Sequence, residues 1–272
     1  MNQISPLMRI PAELRVLIYE YLLDDGGNTQ IEIRNKPRQG CECTEQHGGQ
    51  RRSRYRVIEK NFDQDCYETT YVLASKPSLH VGIMATNRHI YAETSHMLYG
   101  HHTFSFGSDV EAVAPFVRDL SPHARSLVGG VALRKSNALF TSESDRLDWA
   151  FMCQTLRDLL PSLRRLRLAV EGGRPSKPGA SGGGLLRALE ASDLRLLGHI
   201  QHDSVQWIAA LAGLAKGARL EVVEVVPELK YMPAPQTTAA ILYASFSAAI
   251  GTAFVEHLRE DCGLPAVAWP QP

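Results

Sequence analysis

The sequence lacks an excess of charge of either sign. Its 272 residues include 29 basic and 29 acidic side chains, so the formal net charge is zero. Proteins that bind nucleic acid or anionic membrane surfaces usually carry a basic excess, which argues against a dedicated protein of either class. Because 44% of the residues are apolar, a chain of this length can still bury a sizeable core. The composition indicates a globular protein without indicating its task.

Cysteine is scarce and irregularly placed. The chain has five cysteines, an odd and dispersed set: Cys41, Cys43, Cys66, Cys153 and Cys262. A chain of this size does not depend on disulfides, and the pattern favours a reducing compartment. The N-terminal residues also lack the basic start and the apolar run of a secretory signal. We therefore expect the protein in the cytoplasm or the nucleus.

Long hydrophobic runs are missing as well. Residues 231–255 carry no charge, but most of them are Ala, Ser, Thr, Gly or Pro, which are too weakly apolar for a membrane span. The large apolar residues in and just after this segment recur every four positions: Leu242, Phe246, Ile250, Phe254 and Leu258. This spacing predicts a C-terminal amphipathic helix that packs on the core.

The N-terminal part of the chain predicts two helices separated by strands. A helix is expected over 11–23, with proline at its first position, where the missing N–H costs nothing. Residues 28–75 contain three stretches typical of strands, a second helix is expected at about 83–99, and a short strand at 103–106. We therefore predict a module over residues 1–106 whose helices are interrupted by a β-hairpin or small sheet.

The remainder, residues 107–272, shows a weak internal repeat. Three times, an apolar helical segment is followed by a Pro or Gly break and then by a strand. Helix–strand units in series favour parallel strands with helices on one side, as in an irregular leucine-rich-repeat-like arc. Residues 171–184 hold six glycines and two prolines and predict a disordered insertion between the second and third units. The expected fold class is α+β.

The first helix is apolar on two nearly opposite sides, at about 100° per residue. One broad face carries Ile10, Leu14, Leu17, Ile18, Tyr21 and Leu22, and the other carries Ala12, Val16, Tyr19 and Leu23. Arg15 separates the two faces on one side, and two glutamates separate them on the other. A helix that is apolar on two sides has to bury both. Either it runs through the middle of its own domain, or one face receives a partner protein in a helix-in-groove contact.

Residues 7–23 resemble the opening of an F-box, whose pattern is Leu-Pro-x-Glu-Leu/Ile followed by a spaced Ile and Leu. They are more similar still to fungal F-box-like proteins that begin with a Pro-Ala-Glu-Leu-Arg-x-x-Ile-Tyr helix. In those proteins a second helix and a strand follow, and they match Arg88-His-Ile-Tyr-Ala-Glu93 and Leu98-Tyr-Gly-His-His-Thr-Phe-Ser-Phe106. Departures from the pattern, such as Asn87 and His89, leave the apolar faces intact.

The resemblance implies a non-enzymatic protein-interaction function that needs no cofactor. In an F-box, the first helix docks on the SKP-type adaptor of a cullin–RING ubiquitin ligase, and the remaining domain selects a protein substrate, here unknown. Carried onto this sequence, the adaptor contact would be formed by Ile10, Pro11, Leu14, Ile18, Leu22 and Leu23. The alternative is an interaction or scaffold domain with no role in ubiquitin ligation.

Metal binding is a remote alternative at two places. His89, Glu93 and His96 share one face of the second helix, and two imidazoles with a carboxylate can bind zinc. A second set consists of Cys41, Cys43, His47 and Cys66, although its Cys-x-Cys spacing is a weaker signal than Cys-x-x-Cys. We therefore assign no metal site.

One segment is locally charged in spite of the neutral total. Residues 34–56 carry seven basic side chains against two acidic ones. A solvated loop is the expected interpretation, and contact with an acidic partner or RNA is the alternative. The Gly-x-Ser-x-Gly match at 179–183 lies in low-complexity sequence without the preceding strand that a hydrolase needs, so it does not indicate an enzyme.

Overall fold

A computed structural model describes residues 6–23, 29–38, 55–58, 66–74, 79–139, 142–175, 187–217 and 219–269. Within these ranges the helices are α1 (Ala12–Leu23), α2 (Arg88–His101), α3 (Val113–Asp119), α4 (Pro122–Arg125), α5 (Glu143–Leu159), α6 (Ala191–His199), α7 (Gln206–Ala215), α8 (Thr238–Ala249) and α9 (Ala253–Glu260). The strands are β1 (Gln30–Arg38), β2 (Tyr55–Ile58), β3 (Cys66–Leu73), β4 (Thr103–Gly107), β5 (Gly130–Lys135), β6 (Arg165–Pro175), β7 (Val222–Met232) and β8 (Ala266–Ala268).

The strands form one mixed sheet in the order β2-β3-β1-β4-β5-β6-β7-β8. Six of them, β1 and β4 to β8, are parallel to their neighbours in that series. By contrast, β3 is antiparallel to β1, and β2 is antiparallel to β3. The predicted combination of helices with strands is confirmed. The strands of the three predicted helix–strand units, β5 to β7, are parallel neighbours, as expected.

The sheet continues across the predicted module boundary after residue 106. On one side β4 pairs with β1, through Ile31 opposite Phe104. On the other side it pairs with β5, through Phe104 opposite Val131. The strands inserted between the two N-terminal helices are therefore part of the same sheet as the later helix–strand units.

Alternate residues of the parallel strands form one continuous core with the helices. The buried strand residues in it include Ile31, Ile33, Phe104, Phe106, Val131, Leu133, Leu166, Leu168, Val170, Val223 and Val225. When each new parallel strand is added on the same side of the preceding one, the right-handed connections between the strands all lie on one face of the sheet. Buried residues of α3, α5, α7, α8 and α9 belong to the same core, so they lie against that face.

The C-terminal segment contains two helices instead of the single one predicted. The chain leaves helical geometry at Thr252 (φ −127°, ψ −94°), and α8 and α9 are bent by 71° at this break. Phe246, Ile250, Phe254 and Leu258 are all fully buried, so the core residues were predicted correctly. In the described part of the chain, no single helix has the length and apolar character needed to cross a membrane, and only the bent α8–α9 pair passes that test jointly.

The first five residues of the predicted disordered insertion at 171–184 are ordered. Residues 171–175 are the last part of β6 and pair with β7 up to Pro175 opposite Met232. Glycine is needed here for close packing, because a Cβ on Gly172 would lie 2.7 Å from Leu229 Cδ2 and 2.9 Å from Ser247 Cβ. Two of the six glycines that suggested disorder, Gly172 and Gly173, thus serve strand packing. Residues 176–186 lie outside the described ranges.

Candidate functional site

Three polar side chains join α1 to α2. Arg15 Nε and Nη2 donate to Glu93 Oε2 and Oε1 at 3.2 and 2.6 Å, and Tyr19 Oη donates to Glu93 Oε2 at 2.8 Å. Paired guanidinium–carboxylate bonds are among the stronger hydrogen bonds in proteins because both groups are charged and their geometries match. We call Arg15, Tyr19 and Glu93 the α1–α2 cluster. It fixes the rotation of α1 about its own axis.

Further contacts hold both helices in place. In α2, Asn87 caps the N-terminus by accepting a hydrogen bond from His89 N at 2.7 Å, and Ile90 is buried in the interior. At the end of α1, Leu22 O accepts a hydrogen bond from His80 N at 2.8 Å, while Leu23 lies in the core. The two helices are therefore neighbours in space although the inserted strands separate them in sequence.

The cluster shifts the titration of its own members. Hydrogen bonds from Arg15 lower the pKa of Glu93 to about 2, against an ordinary value of 4.5. Burial raises the pKa of Tyr19, and its hydrogen bond to Glu93 acts in the same direction. Glu93 is therefore a carboxylate over the whole physiological pH range.

We expect the contribution of Glu93 to stability to disappear in acid. A carboxyl whose folded pKa lies below its unfolded value stabilises the fold above the unfolded pKa, and this stabilisation is lost as the pH falls through the folded pKa. For Glu93 that window runs from 4.5 down to about 2. At pH 7 the Glu93→Gln variant should melt roughly 5 °C below the wild type, and thermal unfolding measured from pH 7 to pH 2.5 should show the gap closing. A constant gap would contradict this role.

The side of α1 opposite the cluster is an exposed apolar surface. Leu14, Leu17 and Tyr21 are 52%, 59% and 84% exposed, and Pro11 is exposed beside them. We call Pro11, Leu14, Leu17 and Tyr21 the α1 stripe. Single exposed apolar residues are ordinary on protein surfaces, but residues spaced i, i+3 and i+7 along one helix are typical of helix-in-groove binding.

The structure divides the six partner-binding residues that the resemblance implied. Pro11 and Leu14 are exposed, whereas Ile10, Ile18 and Leu22 are half-buried. Leu23 is only 2% exposed and packs in the core, so it does not belong to the surface. The F-box pattern did not include Leu17 and Tyr21, although the helical periodicity placed both on the same face as Leu14.

The proposed metal ligands on α2 are used in other contacts. His89 Nε2 lies 3.1 Å from Glu93 Oε1, but both oxygens of that carboxylate already accept hydrogen bonds from Arg15. His96 instead faces His101, with the ring centroids 6.1 Å apart. Among the residues that the structure describes, no three His, Cys, Asp or Glu side chains are placed to hold a metal ion.

The remaining sequence candidates lie mostly outside the described residues. The second metal set includes Cys41, Cys43 and His47, which lie outside the described residues, and its fourth member, Cys66, is described only as part of β3. Most of the basic segment 34–56 lies outside as well. Within its described part, Arg34 Nη2 pairs with Glu32 Oε2 at 3.3 Å.

A family model described as a domain of unknown function, DUF7730, matches residues 1–176. This match covers well over half of the chain. The protein belongs to the DUF7730 family. Comparisons with curated proteins and with solved structures gave no significant match. The DUF7730 region extends from α1 to the end of β6, so it includes both the α1–α2 cluster and the α1 stripe.

Proposed function

We propose that this DUF7730 protein is a non-enzymatic interaction protein that binds an SKP-type adaptor of a cullin–RING ubiquitin ligase through the α1 stripe. One observation carries the proposal: α1 is fixed to α2 through Arg15 and Tyr19 and leaves large apolar residues exposed on the opposite face. The identity of the adaptor rests on the F-box resemblance of residues 7–23. The proposal thus includes the F-box-like and fungal character of the chain.

The fixed orientation of α1 supports tight docking. A binding helix that is already folded and held in place loses little conformational entropy on association, so more of the contact energy appears as affinity. The α1–α2 cluster provides this preorganisation, because it determines which residues of α1 point away from the core. A partner groove would then cover Leu14, Leu17 and Tyr21 together.

The parallel strands offer a surface for the substrate in this proposal. Helix–strand units that follow one another in space present an extended surface, which repeat proteins use for binding. The order β4 to β8 along the sheet supports such a leucine-rich-repeat-like role for the later part of the chain. The substrate in this scheme is a protein of unknown identity.

The adaptor proposal is tested by charging the α1 stripe. In the full-length chain, Leu14→Glu combined with Leu17→Glu should weaken binding to a purified SKP-type adaptor at least about a hundredfold. The reason is that the adaptor would no longer bury two leucine side chains and that two carboxylates would have to lose their hydration on binding. Isothermal titration calorimetry measures the change. Both leucines are more than half exposed, so the free protein should keep its melting temperature.

A matched control exists on other helices. Leu147 on α5 and Leu196 on α6 are both 61% exposed, and Leu147→Glu with Leu196→Glu adds the same charge elsewhere. This control pair should bind the adaptor like the wild type. Failure of the wild type to bind, or equal losses in the stripe and control variants, would refute the adaptor function.

An interaction domain without a ubiquitin-ligase role is the second candidate, and one observation favours it. The strands between α1 and α2 are built into the main sheet, so these helices do not form a separate helical module. In this case the stripe binds a different protein. The wild type would then fail to bind any SKP-type adaptor, while a partner captured by the wild type would be lost from the stripe variant and kept by the control variant.

A further inference from the structure

A cleft of about 420 Å³ opens at the amino ends of strands β4 to β7, away from the α1 stripe residues. Its polar lining includes His96, His101, Ser162, Arg164, Arg165 and Glu221. The volume lies within the range of small-molecule sites, and the charged side chains of the lining are predominantly basic. These side chains favour a ligand that carries a small anionic group.

Rigid elements position the basic side chains. Arg165 begins β6, and the backbone N–H groups of Arg164 and Arg165 both donate to Gly129 O, at 3.1 and 3.0 Å. The carbonyl of Arg164 in turn accepts from Glu221 N at 2.8 Å. His96 and His101 come from the last turns of α2. Side chains on such fixed backbone can hold a ligand geometry without ordering a loop.

Several of these hydrogen-bond donors are uncommitted. Across the described ranges, neither the Arg165 guanidinium nor the Ser162 hydroxyl has a hydrogen-bond or ion-pair partner. Arg164 Nη1 lies 3.5 Å from Glu221 Oε1, in an exposed pair. The lining thus holds two guanidiniums against one carboxylate, which leaves the cleft with a local positive excess.

Capping of α2 does not account for these charges. Cations often gather near the carbonyl groups at the C-terminus of a helix. In this protein the ring of the buried His102 takes that position, with Nδ1 3.1 Å from Leu98 O. The described hydrogen bonds include none from the side chains of Arg164 or Arg165 to a carbonyl.

We propose that this cleft binds the dianion of a phosphate monoester. Two guanidiniums can bind phosphate oxygens in bidentate fashion, and the Ser162 hydroxyl and the two imidazoles add donors around a tetrahedral group. A carboxylate has only two coplanar oxygens and one charge, so it would leave part of this donor set unused. The phosphate is carried by a phosphorylated serine or threonine of a protein or by a free small ester.

The test uses the full-length chain and three probes: inorganic phosphate, a phosphoserine-containing peptide and its unphosphorylated twin. Binding is measured by calorimetry at fixed salt. Arg165→Gln should weaken binding of the phosphorylated probe at least about tenfold, since a charge-assisted hydrogen-bond pair is lost. Glu221→Gln should tighten binding about threefold, because a like charge is removed. Opposite effects from these two exposed residues are not expected from a change in folding.

A control on the same strand is available. Arg174 is exposed near the opposite end of β6 from Arg165, and Arg174→Gln should bind like the wild type. Tighter binding of the phosphopeptide than of inorganic phosphate supports a protein source, and equal binding supports a small ester. Binding that is undetectable, or that is unchanged by Arg165→Gln, overturns the proposal. The Leu14→Glu/Leu17→Glu variant should keep phosphate binding, which separates this test from that of the adaptor function.

Discussion

A chain that carries Asp145→Ala is expected to lose about 3 kcal/mol of folding stability. Asp145, in the first turn of α5, is the ion-pair partner of Lys135 at the end of β5. The Lys135 side chain is completely buried, and its Nζ lies 5.2 and 5.8 Å from the ring centroids of Trp149 and Trp207. Removal of the carboxylate leaves a buried ammonium whose remaining partners among the described residues are the two aromatic faces.

The opposing influences on Lys135 explain the size of this effect. Burial lowers the pKa of Lys135, while the hydrogen bond and charge of Asp145 raise it. In the variant the effect of burial is no longer opposed by Asp145. Because Asp145 is about one third exposed, we place the loss at the lower end of the range of about 3–5 kcal/mol that is typical of broken buried pairs.

Urea unfolding of three variants tests this prediction. Glu143→Ala removes an exposed acid from the same first turn of α5 and should cost at most about 1 kcal/mol through the helix dipole. Lys135→Met removes the buried charge but keeps an apolar side chain, so it should lie within about 1 kcal/mol of the wild type. A loss for Asp145→Ala as small as that for Glu143→Ala would show that the pair does not stabilise the fold.

A chain shortened to residues 1–176, the extent of the DUF7730 match, is expected not to fold. In the full protein β6 pairs with β7 along its whole length, from Arg165 opposite Val222 to Pro175 opposite Met232. The truncation exposes this edge and removes α8, which packs on β6 through Ser247. Unpaired edges and uncovered apolar faces cause aggregation rather than stable monomers.

Truncation after residue 176 also removes part of the hydrophobic core. Trp149 of α5 packs edge-to-face on Trp207 of α7 with ring centroids 5.7 Å apart, and Trp207 contacts Phe254 of α9 at the same distance. The shortened chain keeps only the first of these three rings. Its near-ultraviolet circular dichroism should be flat and its thermal transition absent, whereas a chain of residues 1–269 should unfold cooperatively. A sharp transition in the 1–176 chain would mean that the matched region is an independent folding unit.

Local patterns were sufficient to predict much of the fold. Alternating apolar residues and stretches rich in Tyr, Thr and Val gave strands near the observed β1 to β4, and α1 was expected within one residue of its observed bounds. The predicted start of the second helix at 83 was five residues early, because Ile83 lies in a separate 3₁₀ turn, Val81–Ala85, and α2 begins at Arg88. The spacing of Phe246, Ile250, Phe254 and Leu258 identified core residues of the last two helices. The same regular spacing concealed the break at Thr252, because the period of four continues through it.

The central contact of the candidate site could not be predicted from local patterns. Arg15 was interpreted as a boundary between two apolar faces, and Glu93 as part of a polar face with two histidines. Each residue fits its own helix under that interpretation, and only the fold brings the two together. The sequence signal that could have indicated this contact was a pair of opposite charges, Arg15 on α1 and Glu93 on α2, each next to positions that are buried.

The last strand could not be predicted from local patterns either. β8 has three residues, which are too few to show a periodic pattern.

The α1–α2 cluster also makes the chain between the two helices a closed loop. The entropy cost of closing a flexible loop grows only with the logarithm of its length, by about 0.6 kcal/mol for each doubling. Changes in chain length between β1 and β2, or between β2 and β3, are therefore thermodynamically cheap as long as these strands and Arg15, Tyr19 and Glu93 are kept. A chain changed in this way should still present the first helix in the same orientation.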